Sequence, residues 1–510
     1  MTTPFRWFTA RWRWLLTPVA AFVALVCWGF ASPIGAGPDD DYHLISTWCA
    51  NGGSEHCEPG SASDLREVAH GFGQIFCYVQ NPERSAACQE PGWDNWDGNT
   101  FETRRGNFYG EYPPVYYSTM RVLAGSDVQQ SALVMRVVNA ALFVALATAL
   151  AGLLSESRRR TLMWGWLVTS VPLGVFIIPS NNPSGWAVMG VGSAFLALLG
   201  WFESTGRRRW AFAGIYLVAV LMAAGSRGDA AVYASGATVV VLILTWERTR
   251  DWLMRAILPA GGLVIALVFF TMAGQAGVGF EGFTSDNGIS ANVLPGVEEQ
   301  ISGSGLAAYN FLMLPFLWTG VWGSWGLGWL DTAMPAMVPW AAVSSFVAVG
   351  FTALSRAPWR KVISLVGVLV VLTALPVYVL TVGGDKVGEN LQPRYLLPLV
   401  VLFGFVLVTE VPGLTLRFGR LQTATLFAAL AGANLVALQV NIRRYITGAD
   451  QQGLNLDAGA EWWWPGALVG PTATWILGSA AFAGLLVLLW PHLCESKALE
   501  SEDLSESATR

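Results

Sequence analysis

The stretch richest in chemistry is Gly37-Pro38-Asp39-Asp40-Asp41-Tyr42-His43. Three consecutive carboxylates repel one another, which raises their pKa values unless a cation or a substrate hydroxyl lies close. Such a group can bind a divalent cation, or keep one carboxylate as a general base that takes the proton of an acceptor hydroxyl. Asp40 and Asp41 are the candidates for either role, with His43 beside them. A solvated acidic cap is the competing reading of the same residues.

Two arginines supply the complementary charge. Arg227 lies in Ser226-Arg227-Gly228-Asp229, and Arg394 precedes Tyr395 in Leu391-Gln392-Pro393-Arg394-Tyr395. A guanidinium at a membrane interface can grip a phosphate with two parallel hydrogen bonds. This makes Arg227, Asp229, Arg394 and Tyr395 candidate substrate-binding residues. Snorkelling, or an Arg227–Asp229 pair without a ligand, is the plainer alternative. Arg136 sits inside an apolar run, with Asn139 on the same helical face. A charge there is costly and must face protein or a water-filled cavity. Arg443, Arg444, Asp331 and Asn181-Asn182-Pro183 are weaker candidates, explained as well by helix ends and turns. The chain has no Gly-rich phosphate loop, Ser-His-Asp arrangement or H-E-x-x-H, so nucleotide hydrolysis and membrane proteolysis gain no support.

Four of the six cysteines, Cys49, Cys57, Cys77 and Cys88, follow the acidic stretch closely. Gathered on an oxidising side of a membrane they read as disulfides. Three pairings are possible, and Cys49 with Cys57 and Cys77 with Cys88 close the shortest loops. A zinc site drawing on His43, His56 or His70 is the rival, but it lacks C-x-x-C spacing.

The elements that must hold these residues follow from composition. Of 510 residues, 53% are hydrophobic and only 13% charged, about half the charge of an average soluble domain. The apolar residues come in blocks of roughly 20, the length that crosses a bilayer. They fall at 15–34, 131–154, 162–179, 185–202, 210–226, 230–246, 256–273, 335–354, 361–382, 394–411, 422–441 and 470–490. Lys and Arg collect in alternate connections: Arg158 to Arg160, Arg207 to Arg209, Arg248 with Arg250 and Arg255, Arg356 with Arg360 and Lys361, and Arg417 with Arg420. That alternation places both termini in the cytoplasm and residues 35–130 outside, as a disulfide-bearing subdomain. It also puts the apolar segment 306–323 outside, as an interfacial or re-entrant helix within the external loop 274–334. Residues 1–14 and the tail 491–510 read as cytoplasmic, the tail as disordered. The expected fold is therefore an all-α polytopic membrane protein with about twelve transmembrane helices. The net charge of −5 suggests no nucleic-acid partner.

The basic start, the single span, Asp39-Asp40-Asp41-Tyr42-His43 leading to Cys49, the Ser-Arg-Gly-Asp turn and Leu391-Gln392-Pro393-Arg394-Tyr395-Leu396-Leu397-Pro398 together resemble a family of actinobacterial membrane proteins. It is catalogued as domain of unknown function 2142 (DUF2142). The resemblance covers most of the chain, from about residue 15 to residue 490. That family is in turn similar to the C-type (GT-C-like) membrane glycosyltransferases. What the resemblance implies is inverting sugar transfer from a polyprenyl-phosphate-linked donor to a cell-wall glycan or lipid acceptor, on the outer face of a bacterial plasma membrane. Asp40 or Asp41 would match the base position or hold a divalent cation, Arg394 would match a donor-phosphate contact, and Arg227 and Arg136 match more loosely. The chain departs from that superfamily in lacking a second acidic motif of the oligosaccharyltransferase kind. A transporter or flippase of a lipid-linked or small polar substrate is the competing function, since twelve spans with both termini inside is a common transporter layout.

Overall fold

The fold described here is that of a computed structural model covering residues 4–53, 56–89, 99–274 and 302–495. Of the expected external loop, 275–301 lie outside the described residues, as do 496–510 of the tail. The first helix, α1 (Pro4–Phe30), begins well before the apolar run at Leu15. A short helix α2 (Asp40–Trp48) follows, then β1 (Cys57–Pro59), β2 (Arg66–Ala69) and β3 (Thr100–Thr103) in one antiparallel sheet of order β1-β2-β3. The register sets Cys57 opposite Val68 and Val68 opposite Phe101. The all-α expectation is corrected here: the chain is mostly helical, at 69% helix and 3% strand. Two disulfides brace the segment that carries the strands: Cys49–Cys57 ties the end of α2 to β1, and Cys77–Cys88 joins two short 3-10 turns between β2 and β3.

Helix α3 (Val115–Met120) leads to the long helices α4 (Val128–Leu153) and α5 (Glu156–Ser170) and the short α6 (Leu173–Ile177). Asp127 caps α4 by accepting from Gln130 N, and Ser155 caps α5 by accepting from Arg158 N. Pro172 separates α5 from α6, because proline lacks the N–H that would continue the ladder. The run expected at 162–179 is thus two helices rather than one. Then come α7 (Pro183–Glu203), α8 (Gly206–Ala224), α9 (Gly228–Thr245), α10 (Arg250–Arg255), α11 (Ile257–Met272) and α12 (Gly303–Thr319). The last five are α13 (Met337–Leu354), α14 (Trp359–Gly383), α15 (Pro393–Leu407), α16 (Arg420–Ile446) and α17 (Pro471–Leu493).

Among the described residues, nine helices are long and apolar enough to cross a membrane. Each of the twelve expected runs overlaps a helix. The three outside the nine are the run broken at Pro172, α8 with Arg207 to Arg209 in its first turn, and the fifteen-residue α15. Helix α7 is the axis of the bundle: 94% of its apolar window is buried inside the protein, against α8, α9, α15 and α4. Helix α1 packs on α17 and α4, so its end, and the acidic stretch after it, is set by the bundle.

Helix α12 is the segment expected at 306–323. It packs along α14: Asn310 Nδ2 donates to Asp385 O at 3.0 Å beyond the end of α14, and Trp318 Nε1 donates to Leu372 O at 3.1 Å near its middle. After a turn at Gly320 to Gly323, Trp322 Nε1 reaches Val168 O at 2.9 Å. The chain then returns to the acidic end, where Trp329 Nε1 donates to Gly35 O at 2.7 Å. The segment thus runs beside α14 from beyond its end to its middle, and the chain after it comes back to the turn that follows α1.

Candidate functional site

The site is built on the anchored end of α1. Arg136 in α4 donates from Nη1 to Gly29 O at 2.9 Å and Ser32 O at 2.6 Å, from Nη2 to Pro33 O at 2.8 Å, and from Nε to Asn181 Oδ1 at 2.7 Å. Gly29 O is one of the carbonyls a helix end leaves without an intrahelical partner, and Ser32 and Pro33 lie in the turn that follows α1. Asn139 supports the same region through Ser180 O at 2.7 Å. Arg136 therefore closes the end of α1 and stands apart from the other candidates.

The turn that follows needs its glycines. Gly35 has φ +83°, and a Cβ on it would fall 1.9 Å from Ile75 Cγ2. Pro38 O then accepts from Arg394 Nη1 at 2.6 Å and Asn182 Nδ2 at 2.7 Å. Asp39 takes a left-handed conformation, φ 59° and ψ 20°, immediately before α2, an uncommon geometry that Asp tolerates better than most residues. Its carbonyl accepts from Tyr42 N and His43 N, while its side chain turns away from the helix.

The three carboxylates diverge. Asp39 meets Arg394, and also Arg105 Nη2 at 3.3 Å. Asp41 pairs with Arg105 Nε and with its Nη2 at 3.3 Å. Asp40 turns inward: Oδ2 accepts from Gly37 N at 3.0 Å, and Oδ1 is buried without a hydrogen-bond partner. Their protonation diverges accordingly. Burial pushes Asp39 up, but Arg394 and the other nearby positive charge outweigh it and hold it down at about 2. For Asp40 burial wins over Arg136 and the Gly37 bond, and the carboxyl is pushed up to about 7. Asp41 is also raised by burial, against the pull of Arg105.

His43 is fully buried, with Nδ1 hydrogen-bonded to Tyr117 OH at 2.8 Å and Nε2 without a partner. Burial lowers its pKa well below the ordinary value, so the ring is neutral. Tyr42 and Tyr112 meet it edge to face, with centroids at 5.4 and 5.3 Å. Arg227 forms a two-bond pair with Asp229, at 2.9 and 2.7 Å, and lies 4.8 Å from the centroid of Tyr395. Arg394 lies 4.8 Å from the same ring and donates to Tyr395 OH at 2.9 Å. Asp39, Asp41, His43, Arg227, Asp229, Arg394 and Tyr395 thus gather in one cluster, with Asp40 on its inner side. Cys49 is the residue that ends α2, so its disulfide to Cys57 ties that helix to β1.

Arg105, Tyr112 and Tyr117 belong to the cluster, and sequence reasoning missed them. Arg105 follows β3 with no local pattern to mark it; the tyrosines left one sign, Tyr112, Tyr116 and Tyr117 crowded within six residues. A divalent cation does not fit this donor set. Among the described residues no group of three or more His, Cys, Asp or Glu side chains could hold a metal ion. Asp40 and Asp41, the expected ligands, face different partners, one a backbone N–H and the other Arg105. The four disulfide cysteines are likewise committed to each other rather than to zinc.

The sequence profile of a family described as a predicted membrane protein, DUF2142, matches residues 22–403. The chain belongs to the DUF2142 family. The DUF2142 match starts inside α1 and ends inside α15, so it spans the whole cluster from Asp39 to Tyr395. Comparison with curated proteins and with solved structures gave no significant match.

Proposed function

We propose that this DUF2142 protein is a membrane glycosyltransferase that moves a sugar from a polyprenyl-phosphate donor to a cell-envelope glycan or lipid acceptor. The observation that carries this reading is the cluster in which Arg227 and Arg394 flank Tyr395 at the start of an apolar helix, with the buried carboxyl of Asp40 on its inner side. In the reaction, Asp40 takes the proton of the acceptor hydroxyl, whose oxygen attacks the anomeric carbon. The bond from that carbon to the lipid-phosphate oxygen breaks with inversion. Arg394 and Arg227 take up the charge of the departing phosphate. For Arg394 this means exchanging Asp39 for the ligand.

The topology that goes with this function has twelve spans and both termini in the cytoplasm. Residues 35–130 then lie outside, as does the loop 274–334, from which α12 enters the membrane and returns. The basic connections favour it, because cytoplasmic loops carry the excess of Lys and Arg. Irregular backbone such as the turn after α12 is tolerated at membrane depth when protein surrounds it, and α12 would flank the donor's entry. A lipid-linked donor keeps its tail in the bilayer and its phosphate at the interface, where Arg394 begins α15.

The test is sugar transfer from polyprenyl-phosphate donors in reconstituted membranes. Asp40→Asn is expected to abolish transfer while unfolding at the same temperature as the parent or higher. Full transfer by Asp40→Asn, Asp41→Asn and the double variant sinks the proposal. Solute flux into sealed vesicles that survives all three variants would instead establish transport.

A further inference from the structure

A second feature lies at the other end of α1. A crevice runs between α1, α4, α5 and α17, with an outer chamber of about 240 Å³. An inner chamber of about 70 Å³ shares Ala21, Phe143, Trp166, Leu167 and Leu485 with it and extends to Trp28. Because the two share these walls they form one slot, which follows α1 for about 21 Å from Trp14 to Trp28 at the rise of an α-helix. Exposure falls along it: Trp14 is 42% exposed and Trp28 only 2%. The slot is open at its rim and closed at its inner end.

Its walls are apolar, and two arginines stand at its rim. Arg13 and His492 line the outer chamber, and no carboxylate does. Arg159 lies over the ring of Trp14 at 5.4 Å. The neighbouring carboxylate, Glu156, is engaged by Arg160 at 3.0 Å and Arg417 at 2.6 Å. Positive charge beside a tapering apolar slot is complementary to an amphiphile with one chain and an anionic head.

We propose that this crevice binds one acyl chain of an anionic phospholipid, with the lipid phosphate against Arg13, Arg159 and His492. The site is independent of the aspartate cluster, and holds whichever chemistry that cluster performs. Its width admits a chain and its rim selects the head group.

The full-length protein in detergent tests this by native mass spectrometry, with phosphatidylglycerol, phosphatidylcholine of the same acyl chains, and a polyprenyl phosphate as probes. The parent is expected to retain phosphatidylglycerol in preference to phosphatidylcholine. Arg13→Gln is expected to weaken phosphatidylglycerol about fivefold, the effect of one basic side chain at a lipid surface, and to leave phosphatidylcholine unchanged. Ala147→Trp fills the outer chamber and removes both adducts at an unchanged unfolding temperature, and Ala151→Leu is the milder plug should that variant unfold. Equal retention of the two phospholipids, an adduct undiminished in the plugged protein, or a polyprenyl phosphate adduct tighter than phosphatidylglycerol and lost on plugging would overturn the assignment.

Discussion

The carboxylate of Asp39 closes on the guanidinium of Arg394 across 355 residues of sequence. The other terminal nitrogen of Arg394 holds Pro38 O at 2.6 Å, so one side chain fastens the turn after α1 to the start of α15. Arg394 is 2% exposed and Asp39 26%. Of the two nitrogens that would grip a phosphate, Nη2 is therefore held by an internal anion that solvent can reach and Nη1 by a backbone carbonyl.

Replacing Arg394 takes a hydrogen bond from two acceptors at once. Arg394→Gln is expected to lower stability by about 3 kcal/mol or more, since breaking a buried pair leaves its partner uncompensated. Asp39→Asn, being partly exposed, costs less, and it removes the anion that competes for the guanidinium. It should tighten binding of a lipid phosphate. Thermal unfolding in detergent and titration with a polyprenyl phosphate measure the two effects. Equal destabilisation by both variants, or weaker phosphate binding by Asp39→Asn, contradicts this arrangement.

Asp40 sets a pH dependence of opposite sign to that of Asp39. Its folded pKa, about 7, lies above the ordinary aspartate value of about 3.9. Between those values the folded chain keeps a proton that the unfolded chain has lost, so stability falls as pH rises from about 4 to about 7. Asp39, held at about 2, contributes stability that is present above about 4 and is lost as pH falls towards 2. Asp40→Asn should flatten the first slope to the part that Asp41, raised in the same direction, contributes, keep the second, and stabilise the protein at pH 8 by about 1–3 kcal/mol. If Asp40 is the base, transfer by the parent rises with pH through about 7. Unfolding midpoints from pH 3 to pH 8 would expose an error, since an unchanged slope in Asp40→Asn excludes Asp40 as its source.

The two disulfides should matter for the shape of the cluster as well as for stability. Cys49–Cys57 and Cys77–Cys88 span sequence separations of 8 and 11, and closing loops that short contributes about 2–3 kcal/mol each. Cys49→Ser with Cys57→Ser releases the end of α2 from β1. It is expected to reduce transfer, whereas Cys77→Ser with Cys88→Ser lowers stability alone. Peptide mapping without reductant checks the pairing, and mixed pairs would refute it.

The parts of the fold legible in the sequence were those governed by local composition. Helical runs declare themselves because each apolar block needs a helix to satisfy its backbone in lipid. The aspartates and the short-loop cysteine pairs are contiguous enough to be noticed. Arg105 was not legible, because it reaches Asp41 only through the fold of β1, β2 and β3, and nothing near position 105 encodes that approach. The division of labour among the aspartates was hidden for the same reason. Adjacent in sequence, they are parted by the left-handed backbone at Asp39, which sends Asp39 and Asp41 to arginines and Asp40 inward. Arg136 was legible as a buried charge, but whether protein or substrate met it depended on carbonyls of α1 more than 100 residues earlier.

Arg136 gives the sharpest separation of structure from catalysis. Its three nitrogens hold Gly29, Ser32 and Pro33 carbonyls and the Asn181 amide oxygen, a fork that one ammonium cannot reproduce. Arg136→Lys is therefore expected to destabilise the protein nearly as much as Arg136→Gln, by about 3–5 kcal/mol in each case. Any residual folded protein should bind a lipid phosphate as tightly as the parent. Arg394→Lys should behave differently, keeping a charge for the phosphate while losing the second hydrogen bond, so that affinity falls more than stability. Unfolding temperature and phosphate affinity, read side by side for the four variants, decide between the roles. A weakened phosphate affinity in well-folded Arg136→Lys would return that residue to the binding site.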